Sequence, residues 1–499
     1  MSDRTDPQLR DQPEPGWQVL DRDLSRISRL ELATSYVAQP LVAVGLGLVF
    51  VALAALWAAL VSGGGSGGLV IVVAAAFAAY LALNIGANDV ANNMGPAVGA
   101  NALTMAGALA IAAICETAGA LIAGGEVVDT IAKGIIAPSS LGDEASFVVA
   151  MMAALLSSAL WLNLATWVGA PVSTTHAIVG GVVGAGVAAA GFGAVDWGGM
   201  SRIAASWIIS PALGGALAAA ALWVVHKLVI DREDKIAAAR VWVPVLIAVM
   251  AGAFATYLSL KGLKHLIGLS FGHALLVGLL ACGLSWAAAK PYILRRSRGL
   301  ENRNKSLKVL FQVPLVLSAA LMSFAHGAND VSNAIGPLAA IVSLLHGGEA
   351  TAAVPLWVML IGALGISVGL LLFGPRLIRM VGGQITRLNA MRAYCVALSA
   401  AVTVIAASWF GLPVSSTHIA IGGIFGVGFF REAVEARRMR QMTGAVELPK
   451  MASEERRRRK LVRRSHFMTI ILAWVITVPA TALASGLMYL ALKALGAVS

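Results

Sequence analysis

Apolar runs of about 20 residues, the length a helix needs to cross the hydrocarbon core of a bilayer, constrain this chain more than any other feature. They occupy 40–62, 69–88, 102–123, 201–226, 241–260, 270–289, 309–328, 353–374 and 467–493. Only 12% of the 499 residues are charged and 58% are hydrophobic, against about 25% charged in ordinary soluble domains. A soluble globule of this composition would expose far too much apolar surface. The expectation is an all-α polytopic protein in which every backbone polar group is satisfied within its own helix.

The net charge of +12 does not point to nucleic acid, because the basic residues crowd into a few loops. Four Lys or Arg lie in 227–240, seven in 290–308, three in 375–389 and twelve in 431–466, whereas 63–68 and 191–200 have none. By the positive-inside rule the basic loops face the cytoplasm. The cluster Arg456-Arg457-Arg458-Arg459-Lys460 reads mainly as a topology anchor on that side. Residues 1–39 form a polar tail with five Arg and seven acids and no apolar core, so the N-terminus is expected in the cytoplasm without a signal peptide. A surface helix is expected around Leu20–Tyr36. Cys115, Cys282 and Cys395 all sit inside apolar runs with no Cys-x-x-Cys spacing, which suits buried small hydrophobes rather than disulfides or zinc.

Two further regions, 145–190 and 390–430, are apolar but broken in the middle by Gly169-Ala170-Pro171 and Gly411-Leu412-Pro413. Proline cannot continue the helical ladder. Each region therefore reads as two half-helices meeting at a turn, a re-entrant hairpin that enters and leaves on one side. With this threading the N-terminus lies inside and the C-terminus outside.

The chain also repeats itself. Asn84-Ile85-Gly86-Ala87-Asn88-Asp89-Val90-Ala91-Asn92-Asn93-Met94-Gly95-Pro96 matches Ala325-His326-Gly327-Ala328-Asn329-Asp330-Val331-Ser332-Asn333-Ala334-Ile335-Gly336-Pro337, with Asp89 and Asp330 241 residues apart. Gly169-Ala170-Pro171-Val172-Ser173-Thr174-Thr175-His176 matches Gly411-Leu412-Pro413-Val414-Ser415-Ser416-Thr417-His418 at an offset of 242. The first unit, 69–190, starts after an uncharged loop and the second, 309–430, after a basic one, so the two are expected to be inverted. Inverted repeats with broken helices at the midplane are an architecture of secondary transporters. The remaining organisation is a tail at 1–39, an extra transmembrane helix at 40–62, connecting helices over 191–308, a basic cytoplasmic loop at 431–466 and a last helix over 467–499.

The paired motifs carry complementary chemistry. An ionised carboxylate in an apolar segment is expensive and reads as functional, and Asp89 and Asp330 do so twice. With the amides of Asn88, Asn92, Asn329 and Asn333 they offer hard oxygen ligands suited to Na⁺, or a carboxylate that takes H⁺. The competing reading is a helix cap, an Asp that accepts N–H bonds ahead of a helix. Ser173, Thr174, Thr175 and Ser415, Ser416, Thr417 each precede a glycine-rich helix, whose N–H groups and positive dipole end suit an anion. No Lys or Arg occurs in these motif segments, so a bound anion would be neutralised by dipoles and by co-bound cations. That mutual requirement is a physical basis for coupling. Glu116 has no counterpart by simple offset, which falls around Trp357–Gly365, and reads as cation ligand, proton carrier or structural strut. His176 and His418 follow the hydroxyl triplets and are candidate anion donors, with a purely structural role as the alternative; His326 precedes Gly327.

These doubled motifs resemble those of the inorganic phosphate transporter (Pit, or sodium–phosphate symporter) family. The resemblance implies symport of inorganic phosphate with Na⁺ or H⁺ by alternating access, without a cofactor, from a homodimer in the cell (inner) membrane. It implies Na⁺ at Asp89 and Asp330 and phosphate on the hairpin-tip hydroxyls. A His-Asp form of the motif occurs in a branch similar to proton-coupled metal-phosphate carriers; Asn-Asp in both copies here stands closer to the sodium-coupled branch. A sulfate symporter on the same scaffold is the nearest alternative. A passive channel, or an intramembrane enzyme using the hairpin-tip Ser or His, has less support, because a duplicated inverted site suits transport better than one-sided catalysis.

Overall fold

A computed structural model describes residues 41–63, 67–170, 172–263, 270–346, 354–384, 388–443 and 464–495. The tail 1–39 with its expected surface helix, Pro171, and the cluster 456–460 lie outside the described residues. The chain divides into two units, 1–49 and 50–499. Of the first, 41–49 are described, the opening turns of one helix. The second holds everything that follows.

The described residues are helical, apart from connecting turns and a single bridge between Ile136 and Val195. The helices are α1 Leu41–Ser62, α2 Gly68–Gly99, α3 Met105–Ala123, α4 Gly125–Lys133, α5 Glu144–Val168, α6 Thr174–Ala190, α7 Trp197–Val225, α8 Lys235–Leu258, α9 Phe271–Arg296, α10 Asn304–Leu310, α11 Gln312–Leu345, α12 Leu356–Gln384, α13 Ala390–Trp409, α14 Ser416–Thr443 and α15 Arg464–Ala494. Among the described residues, 11 helices are long and apolar enough to cross a membrane. The all-α polytopic expectation holds.

Several boundaries differ from the sequence reading. The run 69–88 extends to Gly99, because Asn88-Asp89 and Asn92-Asn93 continue α2 rather than end it. Likewise α11 runs from Gln312 through Asp330 to Leu345. Both Asp residues are therefore mid-helical and fully buried, and the helix-cap reading fails. Pro96 and Pro337 lie seven residues beyond them, inside the same helices. The segment 375–384, assigned to a loop, continues α12. Its apolar stretch outweighs Arg376 and Arg379, whose stems can cover apolar surface while their heads stay polar.

The expected turns are present. Gly169 ends α5 with φ 72° and Gly411 follows α13 with φ 65°, a left-handed backbone that favours glycine. Ser173 accepts the His176 N–H at 3.2 Å and caps α6. Ser415 accepts the His418 N–H at 3.3 Å and does the same for α14. The arms are not uniformly half-length, however. At 25 residues α5 is as long as a full span, since nothing between Glu144 and Gly169 breaks its ladder.

Packing between helices follows small residues, as it must where lipid supplies no hydrophobic drive. A Cβ added at Gly86 would run into the backbone of Ile366 on α12, and one at Gly327 into the backbone of Glu116 on α3. These two glycines are 241 apart and their partners 250 apart. Thr117 and Ser367, also 250 apart, share a hydrogen bond at 2.7 Å. In the same way, Gly180 and Gly184 of α6 lie against α15, while Gly422 and Gly426 of α14 lie against α7.

Candidate functional site

The two Asp motifs meet the two hairpin tips deep in the helix bundle, and each tip reaches the carboxylate of the other repeat. Thr174, in the first repeat, donates its hydroxyl to Asp330 Oδ2 at 2.8 Å. Thr417, in the second, donates to Asp89 Oδ1 at 3.2 Å. The asparagines three residues beyond each Asp support the same crossing, as one helical face requires. Asn92 donates to Thr417 Oγ1 at 2.8 Å and to Asp89 Oδ1 at 3.3 Å. Asn333 donates to Thr175 Oγ1 at 3.1 Å and Thr174 Oγ1 at 3.3 Å. The Thr175 hydroxyl in turn donates to the Val414 carbonyl of the opposite tip at 2.9 Å.

The remaining motif asparagines hold the ends of the hairpin arms. Asn88 donates to Thr166 at 3.1 Å and Asn329 to Ser408 at 3.0 Å, two hydroxyls at the 242 offset. Asn329 also accepts the Val414 N–H at 3.2 Å and donates to the Leu412 carbonyl at 3.1 Å. The second tip is thus tied to α11 through its backbone.

Three polar residues without a polar counterpart in the other repeat complete the centre. His326 is fully buried, with Nε2 3.3 Å from Asp330 and 3.7 Å from Asp89 and Nδ1 3.4 Å from Glu116. Glu116 also accepts the Asn93 amide at 2.8 Å. By offset, Ile85 stands opposite His326 and Ala334 opposite Asn93. By the glycine crossings Ile366 stands opposite Glu116, one residue past the range that simple offset gives.

Three carboxylates therefore surround one imidazole, which is their only ionisable partner among the described residues. Ligand atoms of Asp89, His326 and Asp330 lie within 4.8 Å of one another. Six buried oxygens here have no hydrogen-bond partner among the described residues: Asn88 Oδ1, Asp89 Oδ2, Asn93 Oδ1, Glu116 Oε2, Asp330 Oδ1 and Asn333 Oδ1. Leaving such a group unsatisfied costs about 1–3 kcal/mol. All six are acceptors; the equally unbonded ring nitrogens of His326 lie 3.7 Å from Asp89 Oδ2 and 3.4 Å from Glu116 Oε2, and the other four oxygens suit a hard cation or a proton rather than a bare anion.

The other candidates are distributed differently. Ser173 and Ser415 are occupied as helix caps. Ser416 is buried at the second tip. His176 and His418 pack against each other with ring centroids 4.5 Å apart, and His176 lies 3.9 Å from Trp207. The structure thus brings Asp89, Asp330, Asn92, Asn333, Thr174, Thr175, Thr417 and Glu116 into one connected centre, with Asn88 and Asn329 bracing it and His176 and His418 meeting edge to face. Sequence reasoning missed Asn93, Thr166 and Ser408, and left His326 out of the site. Thr166 and Ser408 were findable, since both are hydroxyls three residues before the hairpin glycine.

Comparison with known proteins bears on what this centre does. The chain matches the family described as "Phosphate transporter family" over residues 85–485. It is 42% identical to the "Putative phosphate permease" of Helicobacter pylori, covering 94% of this chain and 98% of that one. It is 36% identical to a permease of the same description from Pyrococcus abyssi, over 82% and 94% of the two chains. Among solved structures it is similar to one described as "The sodium-dependent phosphate transporter", with a TM-score of 0.76 and 30% identity over 85% of this chain and 99% of that one.

Proposed function

The chain belongs to the phosphate transporter family, and from that premise we propose that it carries inorganic phosphate across the cell membrane in symport with Na⁺. One observation carries the coupling: two buried carboxylates, each hydrogen-bonded by the hairpin tip of the opposite repeat, stand among unbonded acceptor oxygens with His326 between them and, among the described residues, no Lys or Arg in an ion pair with them. Asp89 and Asp330 hold the cations, with Asn92, Asn333, Asn88, Asn329 and Glu116 as further oxygen ligands. Phosphate engages the tips at 173–175 and 415–417, where N–H groups opening α6 and α14 supply donors. Repulsion between the anion and the Asp pair falls once cations are bound, so each ligand raises the affinity for the other.

Alternating access follows from two inverted repeats, 69–190 and 309–430, rocking about this centre. Paired contacts support that symmetry: Gly86 meets Ile366 as Gly327 meets Glu116, and Thr117 bonds Ser367. The distribution of basic loops supports a cytoplasmic N-terminus. A homodimer completes the reading. The long apolar face of α9, with Leu276, Leu279, Leu280 and Leu284 exposed, is open to lipid or to a second copy.

The test is uptake of labelled phosphate into proteoliposomes with Na⁺ and pH gradients imposed separately. Na⁺ alone is expected to drive uptake, and Asp89→Asn or Asp330→Asn to abolish it. A pH gradient acting alone would move the assignment to H⁺, and wild-type rates in both variants would remove the carboxylates from coupling. Inhibition by unlabelled phosphate but not by sulfate is expected; the reverse would change the anion.

A further inference from the structure

A second polar cavity lies away from the central site, where α7, the α7–α8 turn, α8, the start of α10 and α14 come together. Its volume is about 910 Å³, at the upper end of the range for small-molecule sites. Lys227, Arg232, Lys235 and Arg437 line it against one carboxylate, Asp231, which lies 3.4 Å from His226. The cations come from separate elements and converge only through the fold: Lys227 from a π-helical turn at His226–Ile230 that continues α7, Arg232 from the turn, Lys235 from α8 and Arg437 from α14.

The wall is held in place by its own bonds. The Lys235 Nζ donates to the Arg232 carbonyl at 2.9 Å, the Lys235 N–H to Asn302 at 2.9 Å, and Asn302 to the Glu233 carbonyl at 2.7 Å. Lys227 lies over the Trp223 ring at 5.1 Å, an arrangement that orients its ammonium. Four cations and a single acid line this concave wall, an excess of positive charge at its surface that concentrates anions.

We propose that this cavity is a binding site for an anion bearing clustered phosphates, either a soluble polyphosphorylated compound or the headgroup of an anionic phospholipid. Its size exceeds what a single phosphate fills, and two arginines favour planar, paired contacts to phosphate oxygens. The site is separate from the central one and does not depend on the transport reading. An occupant that bridges Arg437 to the α7–α8 cations ties α14, whose other end is a hairpin tip, to α7.

The experiment uses the full chain in nanodiscs of phosphatidylcholine, titrated calorimetrically with inorganic tripolyphosphate at low salt. Saturable binding is expected, weakened at least roughly tenfold by the Arg232→Gln/Arg437→Gln pair and weakened again by added salt. A melting transition of the same variant in the same discs, unchanged from the wild type, reports that it is folded. Repeating the titration in discs that contain cardiolipin separates the two sources. Loss of tripolyphosphate binding there assigns the cavity to a lipid headgroup, and undiminished binding assigns it to a soluble compound. Absence of binding in neutral discs, or equal affinity in the wild type and the variant, would overturn the site.

Discussion

At the scale of single residues, the hydroxyls matter as much as the acids. Thr174 and Thr417 each donate to a buried carboxylate of the opposite repeat, and a hydrogen bond to a charged group is worth about 1.5–3 kcal/mol. Thr174→Val and Thr417→Val are therefore expected to raise the Na⁺ concentration for half-maximal uptake by roughly ten- to a hundredfold. Uptake measured against Na⁺ concentration checks this, and an unchanged midpoint in both would remove the hydroxyls from the cation site. The symmetric part of this centre was legible in the sequence, because the doubled Asp and Ser/Thr motifs announce it at a fixed offset. Of the asymmetric part only Glu116 was, as an acid inside an apolar run. Asn93, Glu116 and His326 have Ala334, Ile366 and Ile85 as counterparts in the other repeat, and a repeat argument carries no information where the copies differ. Only the helix crossings bring those three side chains together.

At the scale of elements, glycine sets how closely α2 and α11 approach their neighbours. Gly86→Ala and Gly327→Ala each place a methyl group against a backbone across the crossing, and such overpacking costs about 1–3 kcal/mol. A melting transition in detergent lowered by several degrees is the expected result, while an unchanged transition would mean that the crossing relaxes freely. Capping gives a second test. Asp143 accepts the Ser146 N–H at 2.6 Å and its hydroxyl at 2.9 Å ahead of α5, and these bonds hold its carboxyl below the usual carboxylate range. The folded-state pKa is depressed, so this contribution is complete above the unfolded value of about 3.9 and is lost as pH falls through the lower folded value. Asp143→Ala is expected to lower the melting point near neutrality, with the gap to wild type narrowing in acid. A constant gap would refute the ionic part of the cap. Helix positions were largely legible from apolar runs, whereas α2, α11, α12 and α14 outran their expected ends. In α2 and α11 the polar residues that hydropathy reads as an end are buried against protein, and in α12 the exposed Arg376 and Arg379 simply continue the helix.

At the scale of the whole molecule, neither half owns a complete site. The first carries Asp89 and Thr174, the second Asp330 and Thr417, and the bonds run between them. A chain cut at Gly299, which lies between α9 and α10 with φ 73°, is expected to yield two fragments that transport nothing singly and recover Na⁺-driven uptake when co-expressed. Uptake by either fragment alone would show that one repeat suffices.

The crossed hydroxyl bonds also bear on how faithfully such a machine converts a gradient into work. A carrier wastes its driving gradient when one ion escapes while the rest of the load stays behind. Here, swinging either hairpin away breaks its threonine bond to the carboxylate of the opposite repeat together with the bonds from that repeat's asparagine, and it parts the two tips where Thr175 bonds the Val414 carbonyl. A half-opened state has lost several bonds at one carboxylate and the bond between the tips while the other carboxylate keeps its own, which makes it a poor resting place. In the symporter proposed above, such bracing opposes slippage, and stoichiometry becomes a matter of where two threonines point.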